Sequence, residues 1–139
     1  MFGPDPALEN SPSNIFATLE RGFDCEVDLW IINDTFFLGH DGPQYQVSPD
    51  FLYTPGLWIH AKNLDALRFL VDTDLIYFWH QNDDCVVTSN GFIWTYPGKS
   101  LTDKSVMLLP EWFDPDFINL NLNCFAICSD FVKKLERVI

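Results

Sequence analysis

The stretch "CEVDLWIINDTFFLGHDGP", residues 25–43, decides how this chain is read. Its β-branched and aromatic runs flank Asn33-Asp34, a pair suited to a tight turn, and so predict two strands. Side chains alternate along a strand. Cys25, Val27, Leu29 and Ile31 therefore share one face, and Glu26, Asp28, Trp30 and Ile32 the other. Two carboxylates thus project from the same face among apolar neighbours. Buried without partners they would repel each other at a large desolvation cost. Either that face is wet or a cation sits between them. The second strand ends in His40-Asp41-Gly42. A histidine there suits proton transfer near neutral pH, and the adjacent acid can fix its tautomer.

Working outward, "LWIHAK" (57–62) predicts a further strand with Trp58, His60 and Lys62 on one face. His60 has ligand chemistry, although a hydrogen-bonded core histidine is the plainer reading. Lys62 can hold a phosphate oxygen or neutralise a carboxylate. Before these strands, Ser13 is placed to cap a helix over "NIFATLER" that Gly22 stops. After them, Asn63 caps "LDALRFLVDT", whose Leu64, Leu67, Leu70 and Val71 predict the buried stripe. "LIYFWH", "CVVTSN", "GFIWTYPG", "SVMLLPE" and "CFAICSD" read as strands, and "FVKKLERVI" as a terminal helix. Five of the apolar runs finish in polar residues, in "LGHD", "HAKN", "YFWHQ", "LLPE" and "ICSD". Ligand sites of parallel α/β folds gather at such strand ends. His80, Glu111 and Asp130 are therefore peripheral site candidates, whereas Phe78, Trp79 and Trp94 are better suited to the core than to a substrate pocket.

The chain's 139 residues, 47% of them hydrophobic, predict a single domain spanning 1–139 around one core. A formal charge of −12 argues against nucleic acid as a partner, because backbone binding needs Lys and Arg to displace counterions. Cys25, Cys85, Cys124 and Cys128 do not form a disulfide framework, and Cys-x3-Cys is not zinc spacing. Free thiols point to a reducing compartment, and the N-terminal "MFGPDPALENSP" has neither the basic region nor the apolar core of a signal peptide, so a cytoplasmic location is the default expectation. No transmembrane segment is expected, since no apolar run reaches spanning length.

Glu-x-Asp on one strand and His-Asp at the end of the next resemble the glycerophosphodiester phosphodiesterases, metal-dependent enzymes of the phosphatidylinositol-phospholipase-like barrel group. The similarity begins at "LENSPSNIFATLERGFDCEVDL", with Glu9 and Asn10 in the family's "EN" positions. It continues through "WIHAK" and ends at "FAICSDF", covering roughly residues 8–130. The resemblance implies a TIM-barrel-like α/β fold, trimmed or incomplete at this length, with six or seven short strands and few short helices. It implies that Glu26 and Asp28 bind a catalytic divalent metal, Mg²⁺ or Ca²⁺. It also implies that His40 transfers protons and that Lys62 contacts the substrate's phosphate. His60 stands where the family carries a third metal-binding glutamate, and imidazole shifts preference toward transition metals.

In that family the substrate is a small phosphodiester: the glycerol hydroxyl attacks phosphorus, an alcohol leaves, and the cyclic phosphate is hydrolysed. The family also opens with a strand ending His-Arg-Gly, whose histidine is the second acid–base group. This sequence starts at "MFGPDPALEN" and has no histidine before His40. Two readings follow: a fragment of a complete enzyme, or a non-catalytic phosphate- and metal-binding module or remnant. Without a preceding strand, "CEVDLWII" is expected to border an open sheet edge through which chains could associate.

Overall fold

A computed structural model describes residues 3–119 and 123–136. The chain falls into two compact units, Asp5–Gln81 and Met1–Pro4 with Asn82–Ile139. In the first unit the helix α1 (Pro12–Leu19) precedes β1 (Cys25–Ile32), β2 (Thr35–Leu38) and β3 (Tyr45–Val47). A 3₁₀ turn (Pro49–Tyr53) leads to β4 (Leu57–Ala61), α2 (Leu64–Leu70) and β5 (Tyr77–Phe78). The five strands form one sheet in the order β3-β2-β1-β4-β5. β1 pairs antiparallel with β2 and parallel with β4, and β4 pairs parallel with β5.

Local chemistry explains these elements. Asn33 and Asp34 both take positive φ, 49° and 59°, the backbone that a two-residue hairpin turn demands and that Asn and Asp tolerate best. Asn63 caps α2 by accepting from the Ala66 N–H at 3.0 Å, and its amide donates to the Ile31 carbonyl at 2.8 Å. One residue thereby starts the helix and ties it to β1. The cap of α1 is Ser11 rather than Ser13, because Pro12 fits the first helical position, where its missing N–H is no loss.

The apolar face of β1, with Val27, Leu29 and Ile31, packs with Leu38, Leu57, Ile59 and Ala61 under α1 and α2. α2 turns Ala66 and Leu70 inward, whereas Leu64 and Val71, expected in its buried stripe, are exposed. The helix ends at Leu70, too early to bring Val71 round. All four cysteines are free, and Cys85 is exposed. Burial pushes the Cys25 thiol up to about 11, which keeps it protonated and unreactive at neutral pH.

The second unit holds a four-stranded sheet in the order β6 (Cys85–Val87), β7 (Ile93–Thr95), β8 (Ser105–Leu108) and β9 (Ala126–Cys128). β6 and β7 are antiparallel about a turn at Gly91, where φ is +84°; the other two pairings are parallel. The short helices α3 (Pro110–Phe113) and α4 (Val132–Leu135) complete it. The last three residues of the expected C-terminal helix lie outside the described residues.

The expected barrel is corrected by this topology. A (β/α)₈ barrel needs parallel strands, each followed by a helix. Here the described strands form two mixed sheets of five and four, each containing an antiparallel pair built on a tight turn. Among the described residues only four short α-helices occur, and α2 is the one that links two adjacent parallel strands of the first sheet. The expected open edge beside "CEVDLWII" is also corrected. β1 is central, and the edges of its sheet are β3 and β5. Among the described residues no helix is long and apolar enough to cross a membrane.

Candidate metal centre

The polar residues of β1 and β4 meet because the two strands run parallel and in register. Glu26 lies opposite Trp58, and Asp28 opposite His60. The face that carries Glu26 and Asp28 is therefore also the face of Trp58, His60 and Lys62, while the other face is core. Ligand atoms of Glu26, Asp28 and His60 all lie within 4.8 Å of one another. Donors bound to one calcium-sized ion at about 2.3–2.6 Å stand at most about twice that distance apart, so three such atoms fit around a single cation. The donor set, two carboxylates and an imidazole, suits a divalent ion.

Asp28 is the hub, with only 2% of its side chain exposed. Its Oδ1 faces His60 Nδ1 at 3.1 Å and Lys62 Nζ at 3.2 Å. Its Oδ2 accepts from Asn10 Nδ2 at 2.8 Å. Burial pushes the Asp28 carboxyl up, but the His60 hydrogen bond, the Lys62 charge and the Asn10 amide together outweigh it and hold the group below the ordinary range. Glu26 is placed differently. It is a quarter exposed, and its Oε1 lies 3.6 Å from His60 Nδ1. Burial raises its carboxyl well above the ordinary range, repulsion from Asp28 adds to this, and Lys62 offsets only part of it; Glu9 contributes a smaller push. Two carboxylates on one face are thus shifted in opposite directions, Asp28 down and Glu26 up, and Glu26 is left short of compensating positive charge. A divalent cation beside Glu26 would supply that charge.

The His60 ring is stacked on Phe78, its direct partner on β5, at 4.9 Å and 14°. Its Nε2 lies 3.4 Å from the His80 carbonyl, so His80 reaches this centre through its backbone. The Trp58 indole N–H donates to Asp24 Oδ2 at 3.0 Å, which fixes the ring beside Glu26.

The structure does not bring every expected residue here. His40 lies outside the Glu26–Asp28–His60 group; its Nδ1 is 3.0 Å from Asp41 Oδ1, and its side chain is 56% exposed. Its backbone is nevertheless placed by β1, since the Gly39 N–H donates to the Asp28 carbonyl and the Trp30 indole donates to the Gly39 carbonyl. Glu111 and Asp130 belong to the second unit. There Glu111 accepts from Ser129 Oγ and from the Asp130 N–H, both at 2.9 Å. Burial and the neighbouring Glu111 raise the Asp130 carboxyl. Asn10 is the residue whose role the sequence did not disclose. The resemblance set it in the family's "EN" positions without giving it a role, and nothing in its spacing points to β1.

Comparison with protein-family models, with curated proteins and with solved structures finds no match to this chain.

Proposed function

We propose that this chain is a divalent-cation-dependent phosphodiesterase acting on small glycerophosphodiesters. The observation that carries the reading is the convergence of Glu26, Asp28 and His60 ligand atoms within 4.8 Å, with Lys62 Nζ 3.2 Å from Asp28. The sequence similarity to glycerophosphodiester phosphodiesterases supports it through the Glu-x-Asp and His-Asp pairs; the fold lends no support, and function is argued from the site. Glu26, Asp28 and His60 would hold the ion, Mg²⁺ or Ca²⁺ on carboxylate chemistry, with the imidazole widening the choice toward Mn²⁺. A bound cation supplies Lewis acidity toward a phosphoryl oxygen. Lys62 carries a fixed positive charge on the same face, suited to an anionic phosphate oxygen. His40, next to Asp41, is the group available to move a proton.

A second reading is a binding module that holds cation and phosphate without turnover. It is favoured by the position of His40, which is exposed and paired to Asp41 rather than gathered with the ligand set. Hydrolysis of glycerophosphocholine in the presence of Mg²⁺, Ca²⁺ or Mn²⁺ separates the two. The enzyme reading expects turnover that Glu26→Ala and a chelator both abolish. Turnover that survives either treatment sinks the metal assignment. Cation binding without turnover selects the module.

A further inference from the structure

Asn10 bonds one residue through both ends of its amide. Its Nδ2 donates to Asp28 Oδ2 at 2.8 Å, and its Oδ1 accepts from the Asp28 N–H at 2.8 Å. Both residues are buried, Asn10 at 8% exposure and Asp28 at 2%. The pair spans 18 positions of sequence, so it is not a local turn contact. Asn10 reaches β1 from a loop that is itself fixed. The Leu8 and Glu9 N–H groups donate to the Asp5 carbonyl, and the Ser11 N–H donates to the Leu8 carbonyl. The Tyr45 hydroxyl of β3 donates to the Ala7 carbonyl at 3.1 Å, and Ser11 caps α1 immediately afterwards. Asn10 itself holds φ at +58°, a backbone that asparagine tolerates and most residues do not.

We propose that Asn10 is a positioning residue for the cation centre, clamping Asp28 Oδ2 so that Oδ1 alone is presented toward His60, Lys62 and the ion. This rests on the cation reading of the same site and adds a residue to it. The clamp fixes both the backbone and the carboxylate plane of Asp28. A carboxylate held at one oxygen cannot rotate into a bidentate pose or turn away from the face that Glu26 shares. Hydrogen-bond partners behind a ligand tune metal affinity in this way, and their loss typically weakens binding by about 10–100-fold.

The competing explanation is that Asn10 merely staples the N-terminal loop to the sheet. Two variants of the full chain separate them. Asn10→Gly removes both amide bonds while accepting the positive φ. Tyr45→Phe removes another tie of the same loop but leaves Asp28 untouched. Calorimetric titration with Mn²⁺ and with Ca²⁺ is expected to show affinity about tenfold or more weaker in Asn10→Gly and within about twofold of wild type in Tyr45→Phe. Wild-type affinity in a folded Asn10→Gly protein overturns the proposal. Should Asn10→Gly not fold, hydrogen exchange of the wild-type Asp28 amide decides. Equal protection with and without Ca²⁺ supports a preformed clamp, and rapid exchange in the cation-free protein overturns it. Glu26→Ala serves as the control for the centre. If wild type binds no cation, or Glu26→Ala binds as wild type does, the cation reading fails and takes this proposal with it. If Glu26→Ala loses binding and Asn10→Gly keeps it, only the clamp fails.

Discussion

Lys62 stands where its charge does two opposed things. Its Nζ lies 3.2 Å from Asp28 Oδ1, the same oxygen that His60 Nδ1 faces, so in the cation-free protein it neutralises Asp28 and softens the repulsion felt by Glu26. A divalent ion entering between the carboxylates must share Oδ1 with that ammonium. Lys62→Met removes the competitor and leaves the donors in place. We expect Ca²⁺ or Mn²⁺ affinity to rise on the order of tenfold, about 1.4 kcal/mol, when measured by calorimetry. Under the proposed function the same variant hydrolyses glycerophosphocholine more slowly, because the positive charge for the phosphate is gone. Cation affinity and turnover should therefore move in opposite directions. An affinity that falls instead would mean that Lys62 helps to hold the carboxylates rather than competing for them.

At the scale of the element, β1 earns both its burial and its chemistry from simple alternation, and alternation is what a sequence displays best. The two faces of "CEVDLWII" could be assigned from the residues alone, and the structure keeps Val27 and Leu29 fully buried with Glu26 and Asp28 opposite. Leu29 pairs with Leu38 on one side and Ala61 on the other, both buried, so there is little room for collapse after truncation. Leu29→Ala should therefore cost about 3 kcal/mol, read as a lower urea midpoint. Ile32→Ala, at an exposed position on the same strand, should cost less than about 1 kcal/mol. Equal losses would place the core on the wrong face of β1. Helical periodicity was less informative. The stripe expected of α2 included Leu64 and Val71, but in a helix of only seven residues the end positions are set by the cap at Asn63 and by where the chain leaves, not by the period. The His60–Asp28 meeting was legible only in part. Each residue announced its face, but their pairing depends on the parallel register of β1 with β4, and register is written in no single segment.

For the whole molecule, the expectation of a barrel failed where local signals were silent about sheet closure. The turn chemistry at Asn33-Asp34 and near Gly91 was visible, and each such turn makes an antiparallel pair that interrupts the β–α alternation of a barrel. The grouping of Glu26, Asp28 and His60 does not depend on a barrel, because it needs only β1, β4 and the loop carrying Asn10. Its electrostatics also set how stability depends on pH. Glu26 has its carboxyl raised in the fold, so the native state binds that proton more tightly than the unfolded chain does. Its contribution is thus fully present below about pH 4, the unfolded range, and is lost as pH rises through the raised value. Asp28 acts in the opposite sense: its carboxyl is lowered, so its contribution is present above about pH 4, the unfolded range, and is lost as pH falls through the folded value. In the cation-free protein, Glu26→Gln should therefore raise the melting temperature at neutral pH and flatten the decline above about pH 4. A cation inverts this balance, because it binds the carboxylate and expels the proton. Ca²⁺ at a fixed concentration, about 100 times its Kd at neutral pH, should stabilise the wild-type protein there by about 2.7 kcal/mol and by less as pH falls, while leaving Glu26→Gln nearly unmoved. Thermal melts of both proteins with Ca²⁺ and with a chelator, across that pH range, test the linkage. A cation effect independent of pH, or equal in the two proteins, would remove Glu26 from the ligand set.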